Sequence, residues 1–177
     1  MLKKAPMIEI VVAFSEENII GNKGKLPWGR VPRDLARFKE ITMEHTVVMG
    51  YNTLVSIGRI LPDRTNLVLT GKPKKIELFP GSIAVSDIDT ILEWARHEKV
   101  FIIGGEIVYR QFLPYATVAH ITEFLTKFEG DARFPWLSQD EWSLRSSTFH
   151  PPDKKNKYPM NFQTWVRREY EEEKMAA

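Results

Sequence analysis

The sequence predicts an α/β fold: a single domain with a central, mostly parallel mixed β-sheet, antiparallel strands at its C-terminal end, and flanking helices. Three observations carry this. Short β-branched runs with almost no polar residue read as strands covered on both faces. Segments with helical spacing separate them. The last third of the chain then alternates apolar and polar residues, as antiparallel strands with one wet face do.

Taken in order, IEIVVAF (8–14) is the first buried strand. IIGNKGKLPW (19–28) follows and reads as a mobile loop without regular structure: Gly21 and Gly24 permit unusual backbone angles, and the Pro27-Trp28 pair gives it a stiff, bulky end. PRDLARFKEITM (32–43) has helical spacing, with Pro32 suited to a first turn. TVVMG (46–50) is a buried strand leading into a short helix from Asn52 to Ile57. NLVLTG (66–71), SIAVS (82–86) and VFIIGG (100–105) are further strands, with helices over 87–97 and 105–113 around the last of them. VAHITEFL (118–125), EWSLRSSTF (141–149) and NFQTWVRREY (161–170) supply the antiparallel end, and PPDKKNKYP (151–159) joins the last two.

At 177 residues the chain can bury about 70% of the surface its unfolded form exposes, so one domain needs no staple. It has no cysteine and four scattered histidines, which excludes disulfides and thiolate zinc sites; no metal is expected, and a reducing cytoplasm fits. Twenty-five basic against 23 acidic residues give a formal charge of +2, interspersed except in the tail RREYEEEKM, so no nucleic acid partner is expected. No apolar run approaches the roughly 18 residues of a membrane span. The N-terminus, with Lys3 and Lys4 ahead of an apolar run that Glu9 interrupts, reads as a short lead and a strand rather than a signal peptide.

Chemistry is expected where VVMGYNT (47–53) and VFIIGGEIVYRQF (100–112) run from buried strand through glycine into helix. Ligands of open α/β sheets collect at the carboxyl ends of strands, and helix N-termini suit phosphate. Strand-to-helix turns use glycine in any case, so these junctions alone do not decide between ligand and architecture. Asp34 is more unusual. Positions 34, 38 and 41 share one face of the helix, and Phe38 and Ile41 are apolar, so a carboxylate points along the core-facing stripe. It either answers the helix dipole or sits at the bottom of an apolar pocket, where it would demand a multiply donating ligand.

The ordered series IIGNKGKLPW, PRDLARFK, VVMGYNTLVSIGR, LPDRTNLVLT, FIIGGEIVYRQFLP, ITEF and EGDARFP resembles the dihydrofolate reductases over about residues 7 to 170. The whole chain, 1–177, then reads as a single domain of that kind. The resemblance implies reduction of 7,8-dihydrofolate to tetrahydrofolate for one-carbon metabolism, with hydride passing from NADPH to pterin C6 and N5 protonated, in a monomeric, cytoplasmic enzyme open to antifolates. It implies that Asp34 accepts hydrogen bonds from the pterin, that Thr122 orients Asp34, and that Trp28 holds a water beside the ring, with water rather than Asp34 protonating N5. Leu26 would complete the catalytic set. Val11, Leu35, Phe38, Ile57, Leu61 and Ile103 would form apolar walls, and Arg64 would clamp the substrate's α-carboxylate. Ala13 and Ile20 would meet the nicotinamide through their backbone. Gly21, Gly50, Asn52, Thr53, Thr70, Gln111 and a cis-linked Gly104-Gly105 pair would serve the rest of the cofactor, and Asp131 would hold the loop containing Gly21 and Gly24 closed.

Two positions depart from the family. Where many members carry arginine for the cofactor's 2′-phosphate, this chain has Tyr51 and Ile107; Lys72, Lys74 and Lys75 are either the source of that charge or ordinary solvated loop lysines, and NADH stays open as a second donor. WGRVPRD also carries an extra residue between Trp28 and Asp34, expected to be absorbed ahead of the helix. The competing readings are the pyrimidine reductase of riboflavin synthesis, against which LPW and PRDLARFK argue, and a catalytically silent nucleotide-binding module, which would bind methotrexate without turnover.

Overall fold

The computed structural model describes residues 5–170; the lead of residues 1–4 and the end of the charged tail, 171–177, lie outside the described residues. In chain order the elements are β1 (Ile8–Ser15), β2 (Ile19–Gly21), α1 (Pro32–Thr42), β3 (Thr46–Gly50), α2 (Tyr51–Ile57), β4 (Thr65–Leu69), β5 (Ser82–Val85), α3 (Ile88–Trp94), β6 (Val100–Gly104), α4 (Glu106–Phe112), β7 (Val118–Phe124), β8 (Ala132–Arg133), β9 (Trp142–His150) and β10 (Met160–Arg167). Eight of the strands form one sheet in the order β5-β4-β3-β6-β1-β7-β10-β9, and β2 pairs with β8. Pairing is parallel from β5 through β7; β10 runs antiparallel to both β7 and β9.

Strand alternation divides the core into two layers. Ile8, Ile10, Val12, Val48, Leu67 and Ile102 pack with Ile91 of α3 and Val108 and Phe112 of α4. Val11, Val47, Met49, Val68, Phe101 and Ile103 pack with Leu54 of α2 and with Phe38 and Ile41 of α1. Each side of the sheet therefore carries helices, which is why the central strands show no polar face.

Helix α1 begins without a side-chain cap of its own at Val31, with Pro32 in its first turn. A distant residue does the capping: Asn156 Oδ1, from the loop between β9 and β10, accepts from the Arg33 N–H at 2.9 Å. Asn156 is itself buried and bonded through Nδ2 to Asp153, whose carboxylate also meets Arg33 at 2.8 Å. This fixes the first turn of α1, where Asp34 sits. Ahead of the helix, which starts at Pro32, Gly29 has a φ of +69° and its N–H donates to Leu26 O, closing a turn.

One expectation is corrected. Residues 19–28 are not free of regular structure: Ile19–Gly21 form β2, and Asn22 and Lys25 exchange both backbone hydrogen bonds at 2.9 and 3.0 Å. Lys23 and Gly24 both have positive φ, the geometry of a two-residue hairpin turn of the primed kind. Boundaries also differ, most at the last strand, which ends at Arg167 rather than 170, and at α3, which spans Ile88–Trp94 rather than 87–97.

Candidate active site

Asp34 points into the sheet-facing side of α1 and is 9% exposed, with Thr122 of β7 beside it at 3%. Burial raises the Asp34 carboxyl above its usual range; a hydrogen bond from Thr122 and the charge of Arg37 pull the other way without cancelling it. Burying a carboxylate this far is costly unless donors meet it. The carboxylate is thus buried on the core-facing side of its helix, and not simply exposed at the first turn.

Trp28 closes one side. Its ring lies 4.5 Å from that of Phe124 and 5.9 Å from that of Phe128, yet its Nε1 is buried without a hydrogen-bond partner among the described residues. A buried N–H without a protein acceptor is costly unless water or a ligand meets it. Val11, Leu61 and Ile103 are buried, Phe38 is half-buried, and Leu26, Leu35 and Ile57 lie open to solvent on the loop, α1 and α2.

Arg64 is braced at the far end of α1. Its Nε donates to Pro62 O at 2.9 Å and its Nη1 to the Thr42 hydroxyl at 3.0 Å, while that hydroxyl donates to Phe38 O at 2.7 Å. Rotamer entropy is thereby spent before any ligand arrives.

The second group of residues gathers at the carboxyl ends of β3 and β6, which are neighbours, with Met49 paired to Gly104. Gly50 and Gly105 precede α2 and α4, and neither helix start carries a side-chain cap. The Gly104–Gly105 peptide is cis. A Cβ on Gly105 would stand 3.3 Å from Thr53 Oγ1, and one on Gly50 would stand 3.2 Å from Val108 Cγ2, so side chains here would crowd the junction. Uncapped N–H groups from two adjacent helix starts, with a threonine hydroxyl between them, fit a diphosphate. Asn52 and Gln111 are exposed on these helices, and Thr70 follows β4, its hydroxyl accepting from the Lys72 N–H at 3.1 Å. Lys72, Lys74 and Lys75 are exposed, and the Lys75 ammonium lies 5.2 Å from the centroid of the Tyr51 ring. Ile107, at 73% exposure, offers nothing to an anion.

The loop closes the arrangement. Asp131 accepts from the Lys23 N–H through both carboxylate oxygens, at 3.0 and 3.2 Å, and its own N–H donates to Gly21 O at 3.0 Å. Ala13, half-buried, pairs with Thr122, and Ile20 follows in β2, half-buried against the core.

Two contributors escaped sequence reasoning. Tyr109 of α4 is buried and donates to Val11 O at 2.9 Å; burial first, and the Asp34 charge second, push its phenol far above the usual range. A polar-tipped aromatic three residues before Phe112, on the buried side of α4, was the available signal. Arg37 had no such signal, because it resembles any arginine on a helix surface. A depression on the opposite side of the sheet, lined by Thr90, Glu93, Trp94, His97 and Glu98, has Glu98 engaged with Thr46 and Trp94 and lacks a buried unsatisfied carboxylate.

Comparison with known proteins agrees with this geometry. The family model described as Dihydrofolate reductase matches residues 7–167. The chain belongs to the dihydrofolate reductase family. It is 39% identical to the dihydrofolate reductase of Bacillus subtilis (strain 168) over 157 residues, covering 88% of this chain and 92% of that protein. It is 36% identical to that of Staphylococcus haemolyticus over 160 residues, covering 90% and 95%. Among solved structures, dihydrofolate reductase from Enterococcus faecalis complexed with NADP(H) and RAB-propyl superposes with a TM-score of 0.85 at 34% identity, covering 94% of this chain and 99% of that one. Membership favours dihydrofolate reduction over the riboflavin-type reductase and the silent module. Among the described residues no helix is long and apolar enough to cross a membrane.

Proposed function

We propose that the cleft between α1, α2 and the carboxyl ends of β1, β6 and β7 reduces 7,8-dihydrofolate to tetrahydrofolate, with Asp34 as the group that recognises the pterin. The observation that carries this is a carboxylate buried on the core-facing side of α1 beside the Thr122 hydroxyl, and raised by that burial. An ionised carboxylate only accepts, and the pterin's N3–H and 2-amino group offer two parallel donors that match its two oxygens. Binding supplies the donors burial removed and favours the ionised form. That negative charge raises the proton affinity of N5, while the apolar walls from Val11, Leu35, Phe38, Ile57, Leu61 and Ile103 keep bulk water from the ring.

Trp28 donates its spare Nε1–H to a water beside the pterin, Leu26 packs over the ring, and Thr122 orients Asp34. Arg64, already braced, presents its planar fork to the substrate's α-carboxylate. Gly50, Asn52, Thr53, Gly104, Gly105 and Gln111 hold NADPH, with Ala13, Ile20 and Gly21 along its nicotinamide end and Thr70 near Lys72, Lys74 and Lys75 at its 2′-phosphate. Bound NADPH supplies the hydride for C6. Asp131 keeps the loop down while that transfer proceeds.

The whole chain, 1–177, acts as one such domain. It works as a cytoplasmic monomer, the state that the family resemblance implies. The +2 charge gives it no reason to hold nucleic acid. The test is loss of the reduced-nicotinamide absorbance with dihydrofolate, run in parallel with NADPH and NADH. Turnover with NADPH is expected; no turnover with either would overturn the reading, and equal turnover would show that the lysines do not select the phosphate.

A further inference from the structure

Arg37 occupies an unusual place for an arginine. Its Nη1 donates to Ile121 O at 2.7 Å and to the Thr122 hydroxyl at 3.2 Å, and its Nη2 donates to Gln163 O at 2.8 Å. Ile121 and Gln163 face each other across β7 and β10, so one guanidinium bridges the antiparallel pair while lying 4.6 Å from the centroid of the Phe162 ring. Planarity and fork geometry make this possible, and a lysine could not reproduce it.

We propose that Arg37 is a positioning residue for pterin recognition: clamped across β7 and β10, it fixes the Thr122 hydroxyl toward Asp34 and keeps a permanent positive charge behind that carboxylate. The inference rests on the reading of Asp34 as the pterin-binding group. A hydroxyl has one proton. By occupying the Thr122 oxygen as an acceptor, Arg37 leaves that proton for Asp34, giving a directed chain from guanidinium to hydroxyl to carboxylate in which each bond polarises the next.

The charge has a consequence for ionisation. Burial raises the Asp34 carboxyl, and Arg37 opposes that rise. The other charged or titratable groups around the pair are Tyr109 of α4, which stays neutral, Glu40 on α1, and His150 of β9, whose ring Arg37 and Arg33 help hold below its usual range after burial. Glu123, next along β7, is engaged by Asn161 and Gln163 side chains. Arg37 is therefore the cation that balances Asp34 until substrate arrives.

The experiment follows the Asp34 carboxyl by 13C NMR across pH in the full chain, its signal assigned by loss in Asp34→Asn, alongside the pH profile of kcat/KM. Arg37→Met and Arg37→Gln both remove the charge, and the glutamine keeps a planar donor for the strand carbonyls should the methionine fail to fold. In either, the Asp34 midpoint is expected to rise by about one pH unit or more, the acid limb moving with it. Arg37→Lys, which keeps the charge without the fork that fixes Thr122, is expected to titrate between wild type and the neutral variants. A folded neutral variant with an unchanged Asp34 midpoint would overturn the proposal, because a purely structural clamp would lower thermal stability and leave the titration alone. Full turnover by Asp34→Asn would instead remove the reading beneath it, so the two failures are distinguishable.

Discussion

Asp131 binds the Lys23 backbone N–H through both of its carboxylate oxygens, and the opposite end of the same hairpin turn is held from α2, where the Ser56 hydroxyl donates to Gly24 O at 2.6 Å. The glycine-bearing loop is thus tied to two separate parts of the molecule by exposed hydrogen bonds. Replacing Asp131 by Ala removes one tie. The hydride-transfer rate in single-turnover stopped flow should fall roughly fivefold, the equivalent of one hydrogen bond of about 1 kcal/mol, and NADPH should dissociate faster. An unchanged single-turnover rate would take Asp131 out of loop control.

Asp34→Asn separates recognition from stability. Turnover at neutral pH should drop about 100-fold or more while NADPH affinity holds. The ligand-free protein should become more stable. The sign follows from the raised carboxyl: the protonated form is favoured on folding, so stability is fully present below the unfolded value of about 3.9 and is lost as pH climbs through the higher folded value. At neutral pH the native protein carries that loss and the asparagine variant does not, so thermal unfolding at pH 7 should show a higher Tm for the variant. Equal losses in turnover and cofactor binding would make Asp34 structural.

Arg64→Ala should raise KM for dihydrofolate at least tenfold with kcat little changed, since the clamp lies away from the reacting ring. Thr42→Val tests the brace: it leaves the guanidinium in place but frees it, and a smaller rise in KM is expected. No change in KM for either variant would mean that another cation holds the carboxylate.

With tyrosine and isoleucine at 51 and 107, the preference for NADPH should depend on the lysines after β4. Replacing Lys72, Lys74 and Lys75 together by Gln should narrow the NADPH:NADH ratio of kcat/KM by about tenfold or more, with the effect weakening as salt is raised. An intact ratio would point to a phosphate anchor elsewhere.

Acid stability should depend on a cluster away from the pterin. Glu9 meets Lys99 and His120, each at 2.7 Å. Burial alone would raise Glu9, but the hydrogen bonds and charges of His120 and Lys99 outweigh it and hold the carboxyl below its usual value. A lowered carboxyl stabilises above the unfolded value and loses that contribution as pH falls through the folded one. Glu9→Gln should therefore lower Tm at pH 7 and flatten its decline below about pH 4.5. A parallel decline in both proteins would show that the cluster is neutral in energy.

Much of this was written locally. Buried strands, glycine junctions and the address of Asp34 depend on residues close in sequence, because strand and helix periods are properties of a few consecutive side chains. The family motifs added the chemistry, since seven of them keep their order along the chain. The tertiary structure decided what depends on distant partners. Ile19–Gly21 becomes a strand only because Ala132–Arg133 arrives beside it. The first turn of α1 is capped by Asn156, and nothing adjacent announces it. Arg37 looks like a solvated helix residue until the carbonyls of Ile121 and Gln163 and the hydroxyl of Thr122 converge on it, and Tyr109 looks like core until its hydroxyl finds Val11. Local sequence carries backbone preference and apolar period, whereas a polar group's partner is chosen by how the sheet is ordered in space.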